Sequence, residues 1–86
     1  MTSKKSMKKA KGEVVSVNES LVSAKNTEGA VINGEVAYII LEDGKRLKSE
    51  VIDVKEGGVV FLQVFEDTGW MRIGDLVEFT GLPLAV

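Results

Sequence analysis

The sequence predicts an all-β protein, a small closed antiparallel β-barrel of about six strands. From residue 12 onward, short β-branched runs alternate with turn residues, chiefly Gly, Asn and Asp. No segment of useful length carries apolar residues at helical spacing. A flat sheet of this size would leave two unpaired edges, and closure into a barrel removes them. A chain of 86 residues has room for one such domain.

The first half of the barrel is expected to contain three strands. The segment 13–17 alternates as a half-buried strand does, with Val15 and Val17 on one face. A turn at 18–20 leads to a second strand over 21–25, and residues 26–34, rich in Gly and Asn, form a loop. The segment 35–41 is the clearest strand and is apolar on both faces toward its end.

The second half begins with a hairpin. Asp43-Gly44 is a strong hairpin-turn signal, and residues 46–54 follow as the partner strand. A tight turn over 55–58 requires positive φ at Gly57-Gly58. Further strands are expected at 59–65 and 75–80, and residues 84–86 begin another.

Charge divides the chain into two parts. Five lysines and no acidic residue lie within residues 1–11, which we expect to be a disordered basic leader. Residues 12–86, the expected barrel domain, carry six basic and 13 acidic residues. An acidic body without a basic stripe argues against a nucleic-acid partner.

Several kinds of chemistry are excluded by composition. The chain has no His and no Cys, so it lacks a histidine base, a thiolate nucleophile and the usual zinc ligands. No phosphate-binding glycine motif occurs. The longest apolar run is far too short for a membrane-spanning helix. We therefore expect no catalytic, cofactor-binding or metal-binding residue in this chain.

The segment after the fifth expected strand carries the candidate interface residues. These are Glu66, Asp67, Thr68, Trp70 and Arg72. Adjacent carboxylates can bind a divalent cation, but a solvated turn in which Asp67 or Thr68 caps backbone amides is favoured. Trp70 either anchors a partner or folds back to plug one mouth of the barrel, and the sequence leaves both interpretations open.

Four motifs occur in order along residues 12–86. They are GEVVSV followed by LV (12–17, 21–22), LKSEVI (47–52), QVFEDT (63–68), and GD leading to TGLPLAV (74–86). In order and spacing they resemble the N-terminal β-barrel of the catalytic A subunit of V/A-type (vacuolar/archaeal-type) rotary ATP synthases. Two places depart from that pattern: Asn18 to Ser20 replace a usual Gly-Pro, and Gly69-Trp70 replace a small residue followed by glycine.

The resemblance implies a structural role. Barrels of this family form a crown that holds alternating A and B subunits in a hexamer, while downstream domains hydrolyse or synthesise ATP coupled to ion transport. It implies B subunits as partners on both sides, ATP and Mg²⁺ only in the full-length subunit, and a cytoplasmic site peripheral to a membrane complex. We expect no direct membrane insertion and, for the isolated chain, a monomer or weak association.

Two other functions remain open from the residues alone. A free-standing β-barrel could bind a protein or an RNA through its loops. A small carboxylate-dependent enzyme is the third interpretation, although a thin barrel offers little depth for perturbing the pKa of a carboxyl group.

Overall fold

The computed structural model describes residues 10–83, which form six strands and one 3₁₀ turn. The elements are β1 (Lys11–Asn18), β2 (Leu21–Glu28), β3 (Glu35–Ile40), β4 (Arg46–Val54), the 3₁₀ turn (Glu56–Gly58), β5 (Val59–Val64) and β6 (Leu76–Pro83). All neighbours are antiparallel and close in the order β1-β2-β5-β4-β3-β6. The predicted six-strand closed barrel is confirmed. Within this described stretch no helix is long and apolar enough to cross a membrane.

The inward face of β1 differs from the prediction. Val14 is fully buried, whereas Val15 and Val17 are exposed. The register with β2 shifts between Val14 and Ser16, so an extra residue interrupts the alternation at this point. A strict period of two, the basis of the prediction, does not hold across a β-bulge.

The barrel also begins earlier than expected. Lys11 starts β1 and pairs with Glu28 of β2 and Glu78 of β6. Ala10 is only 4% exposed, and its carbonyl oxygen accepts the N–H of Phe79 at 3.0 Å. The predicted leader is therefore wrong in its last two residues, because Ala10 packs into the core cluster and Lys11 pairs through its backbone with two strands. Residues 1–9 and the strand expected at 84–86 lie outside the described residues.

Other strand ends move by a few residues. β2 runs to Glu28 instead of ending at residue 25, which shortens the following loop to residues 29–34. β6 extends to Pro83 because its last residues still pair with Glu35 at the start of β3. The turn at 55–58 has φ of 83° at Gly57 and 85° at Gly58, as predicted.

The core fills the barrel with side chains from alternate strand positions. Its fully buried members are Val14, Val22, Ala24, Ala37, Ile39, Val51, Val60, Leu62 and Val77, with Phe79 almost fully buried. Ser49 is a polar residue in this interior: it is fully buried, and its Oγ donates a hydrogen bond to the Ala37 carbonyl oxygen at 3.0 Å. The hydroxyl is therefore satisfied inside the apolar core.

Antiparallel order gives the barrel two distinct ends. The loop end carries the β1–β2 turn (19–20), the β3–β4 hairpin turn (41–45) and the segment 65–75 that joins β5 to β6. The exit end carries the β2–β3 loop (29–34), the 3₁₀ turn and the end of β6 at Pro83. The segment 65–75 connects two strands that are not neighbours, and we call it the crossover loop.

Candidate interaction site

The QVFEDT motif ties the crossover loop to the loop end of the barrel. Gln63 Nε2 donates to Ser20 Oγ at 2.7 Å, and the Val64 N–H donates to the Ser20 carbonyl oxygen at 2.9 Å. The Phe65 N–H bonds the Lys48 carbonyl oxygen at 3.2 Å. The end of β5 is thus fastened to the β1–β2 turn, and the first residue of the loop is fastened to β4.

The next three residues, all candidate interface residues, also make internal bonds. Glu66 Oε2 accepts the Lys48 N–H at 3.3 Å, and Thr68 Oγ1 donates to the Glu19 carbonyl oxygen at 2.8 Å. Asp67 Oδ1 accepts the N–H of Gly69 at 2.9 Å, which is the Asx-type turn that the sequence favours over a cation site. These side chains fix the shape of the loop.

Trp70 and Met71 lie next to each other and face opposite ways. Trp70 is 75% exposed, which excludes the interpretation in which it plugs the barrel mouth. Met71 is 8% exposed and belongs to the core cluster, so it takes the plug position. The Met71 N–H donates to the Thr68 carbonyl oxygen at 3.0 Å, which closes the turn that directs the two side chains apart. The sequence prediction did not consider Met71.

Trp70 forms one wall of an open groove. The groove has a volume of about 260 Å³ and is lined by Leu41, Glu42, Asp43, Trp70 and Arg72. Arg72 Nε lies 4.0 Å from Glu42 Oε1, with both side chains largely exposed, so this ion pair is weak. Trp70 and Arg72 are thus the candidate interface residues that line this groove.

Charge is concentrated at the loop end. Its three connections carry six carboxylates and two cations: Glu19, Glu42, Asp43, Glu66, Asp67 and Asp75 against Lys45 and Arg72. The two connections at the exit end carry one residue of each sign, Lys55 and Glu56. The groove therefore sits in a negative field that repels phosphate groups.

No metal centre is found in the part of the chain that the structure describes, where no group of three or more potential ligands converges. Glu66 and Asp67 are adjacent in sequence, but each is engaged with a different backbone amide.

Glu35 at the exit end is the clearest residue that sequence reasoning missed. It is 3% exposed, and its two carboxylate oxygens accept separate backbone N–H groups: Oε2 from Ile32 and Oε1 from Gly81, both at 2.6 Å. A charged residue at the start of an otherwise apolar strand is a weak signal that could have suggested such a role. Glu35 fixes the β2–β3 loop against the end of β6.

The described residues thus form a closed antiparallel six-strand barrel domain, with an open groove beside Trp70 at its loop end. Residues 14–81 match the ATP synthase alpha/beta family, beta-barrel domain, and the chain belongs to that family. The resemblance stated from the four motifs is confirmed.

Curated relatives specify the branch of the family. The chain is 48% identical over 80 residues to a V-type ATP synthase alpha chain of Treponema denticola, covering 93% of this chain. It is 45% identical to the V-type ATP synthase alpha chain of Protochlamydia amoebophila, covering 86%. It is 41% identical to the A subunit of an A-type ATP synthase from Staphylothermus marinus, also covering 86%. The chain spans only 12–13% of the length of these relatives.

Proposed function

We propose that this chain is the crown barrel of the A subunit of a V/A-type rotary ATP synthase and holds an alternating A/B hexamer together. The observation that carries the proposal is the family match over residues 14–81, joined with 41–48% identity to chains of such synthases. ATP and Mg²⁺ are bound by other domains of the full-length subunit, which hydrolyse or synthesise ATP coupled to ion transport. The subunit works in the cytoplasm, peripheral to the membrane part of the complex.

A closed barrel suits the role of a collar. Each strand is hydrogen-bonded to two neighbours, so deformation of one strand is resisted by the whole ring. The crossover loop is fastened at Lys48 and Glu19. Domains that change shape during a rotary cycle need such a rigid body to keep neighbouring subunits in register.

The barrel contacts a B subunit on each side through different surfaces, since alternating subunits make heterologous contacts. The 13 acidic residues of the body disfavour packing against copies of itself and favour a partner with a basic rim. Each patch on so small a domain buries less than about 800 Å² per partner. Assembly then depends on several linked contacts acting together.

The test uses the full-length protein that carries this barrel, co-expressed with its B partner. Deletion of residues 10–83 should abolish the hexamer on native mass spectrometry, while the remaining subunit still binds nucleotide. Full hexamer yield without the barrel would contradict the proposal. Trp70→Ala then asks whether the crossover loop is one of the contacts.

A further inference from the structure

The groove beside Trp70 has the composition of a site for a basic side chain. We propose that it binds an arginine or lysine of a protein partner, with the cation over the Trp70 ring and paired with Glu42 and Asp43. The inference rests on the proposed function only in placing the partner within the same complex. The chemistry of the groove is argued and tested separately.

Trp70 supplies the apolar wall. At 75% exposure its ring is open to a ligand, and tryptophan is the best aromatic partner for a cation within about 6 Å of the ring centroid. Two further exposed apolar residues, Phe65 and Ile73, lie in the same crossover loop. The turn at Asp67 and the buried Met71 hold the loop in one conformation. Binding at the Trp70 ring therefore costs little conformational entropy for ordering the loop.

Glu42 and Asp43 supply the opposite charge. Glu42 makes only a 4.0 Å contact with Arg72, and Asp43 uses Oδ1 to accept the Lys45 N–H at 2.9 Å. A carboxylate has about four acceptor sites, so both groups retain capacity for another donor. A guest cation can replace the weak Arg72 contact without leaving that side chain desolvated, since Arg72 is 72% exposed.

On the outer wall of the same barrel, an aromatic ring and a carboxylate already bind an arginine of this chain. The Arg46 guanidinium carbon lies 4.7 Å from the centre of the Tyr38 ring, and Arg46 Nη2 lies 3.3 Å from Glu78 Oε1. There an aromatic ring and a carboxylate hold one guanidinium between them. The groove offers a larger ring and two carboxylates, with space of about 260 Å³ beside them.

Charge decides the class of partner. Six carboxylates against two cations in the loops around the groove repel nucleic acid and anionic lipid, whose phosphates carry the same sign. A protein segment with an exposed arginine or lysine is attracted by the same field. The occupant is therefore a basic protein segment.

The test titrates the 86-residue chain with a capped Gly-Arg-Gly peptide and follows the indole N–H signal of Trp70, the only tryptophan, by NMR. Saturable shifts are expected. A capped peptide with citrulline, the neutral isostere of arginine, should bind more weakly by about threefold or more. A capped Gly-Glu-Gly peptide should not bind. Equal affinity for arginine and citrulline, or preference for glutamate, would overturn the proposal.

Matched variants locate the effect in the groove. Glu42→Gln should weaken arginine binding by about threefold, whereas Glu56→Gln, which removes the same charge at the exit end, should change it little. Trp70→Phe, followed through the backbone amides of Asp43 and Arg72, should bind more weakly without loss of fold. Equal weakening by the two glutamate variants would mean that only net charge matters, and the groove would not be the site.

One further arm separates the partner from the chain itself. A variant lacking residues 1–9, which hold four of the five early lysines, should show the same free indole signal and the same peptide affinity. A changed signal would put the chain's own lysines in the groove and refute a separate partner. The two proposals fail separately. If the peptide binds but hexamers still form after the barrel is deleted, the groove remains a binding site and the crown role is refuted.

Discussion

The two ends of this barrel solve different physical problems. At the exit end, Glu35 is buried and uses both carboxylate oxygens to hold Ile32 and Gly81, so its charge stabilises the fold. At the loop end, Glu42 and Asp43 line an exposed groove beside Trp70. Carboxylates therefore act as internal fasteners at one end and as a surface for a partner at the other. Residue type alone does not distinguish the two uses.

The largest effect should come from the buried carboxylate. Glu35→Ala should lower the free energy of unfolding by about 3 kcal/mol, because two part-buried backbone N–H groups lose a charged acceptor. Glu35→Gln keeps one acceptor oxygen and should lose less. Urea unfolding followed by far-UV circular dichroism measures both. Glu42→Gln is the control and should stay within about 0.5 kcal/mol of the parent. Equal losses of unfolding free energy at Glu35 and Glu42 would contradict the claim that carboxylates stabilise the fold at the exit end but not at the loop end.

A second comparison, between Met71 and Trp70, tests which side chain at the loop end belongs to the core. Met71→Ala should cost about 2 kcal/mol, since it removes a buried side chain from the core cluster. Trp70→Ala should change the free energy of unfolding by less than about 0.5 kcal/mol, because the Trp70 ring is mostly exposed to solvent. Thermal unfolding of the two variants ranks them directly. The reverse order would identify Trp70 as the plug after all.

The smallest expected effect concerns the start of β1. A variant that begins at Gly12 should lose about 1–2 kcal/mol, because it removes the Ala10 carbonyl acceptor and the Lys11 pairings that help to close β1 on β6. A variant that begins at residue 10 should stay within about 0.5 kcal/mol of the full chain. Chemical denaturation of the two truncations, made side by side, is the measurement. Identical losses would mean that the barrel gains nothing from Ala10 and Lys11.

The sequence identifies much of the site, but it does not show which of its residues hold the loop in place and which line the groove. The motif QVFEDT and the neighbouring Trp70 mark the crossover loop as the place to look. Glu66, Asp67 and Thr68 use their side chains in hydrogen bonds that hold the loop in place, and of the five candidates only Trp70 and Arg72 line the groove. The hairpin residues Glu42 and Asp43 are predicted only as a turn. They join the site because β3 and β4 meet at the same end of the barrel as the end of β5.

Local signals in the sequence suffice for the number of strands, the turns at Asp43-Gly44 and Gly57-Gly58, and the family, because these depend on alternation, backbone freedom and motif order. Three further features emerge only from the folded barrel: Val14 faces inward in place of Val15, Met71 and not Trp70 fills the mouth, and Glu35 is buried. The physical reason is common to all three. Each depends on a partner in another part of the fold: the β1 bulge on its pairing with β2, the place of Met71 on the core cluster, and the burial of Glu35 on Gly81, 46 residues away.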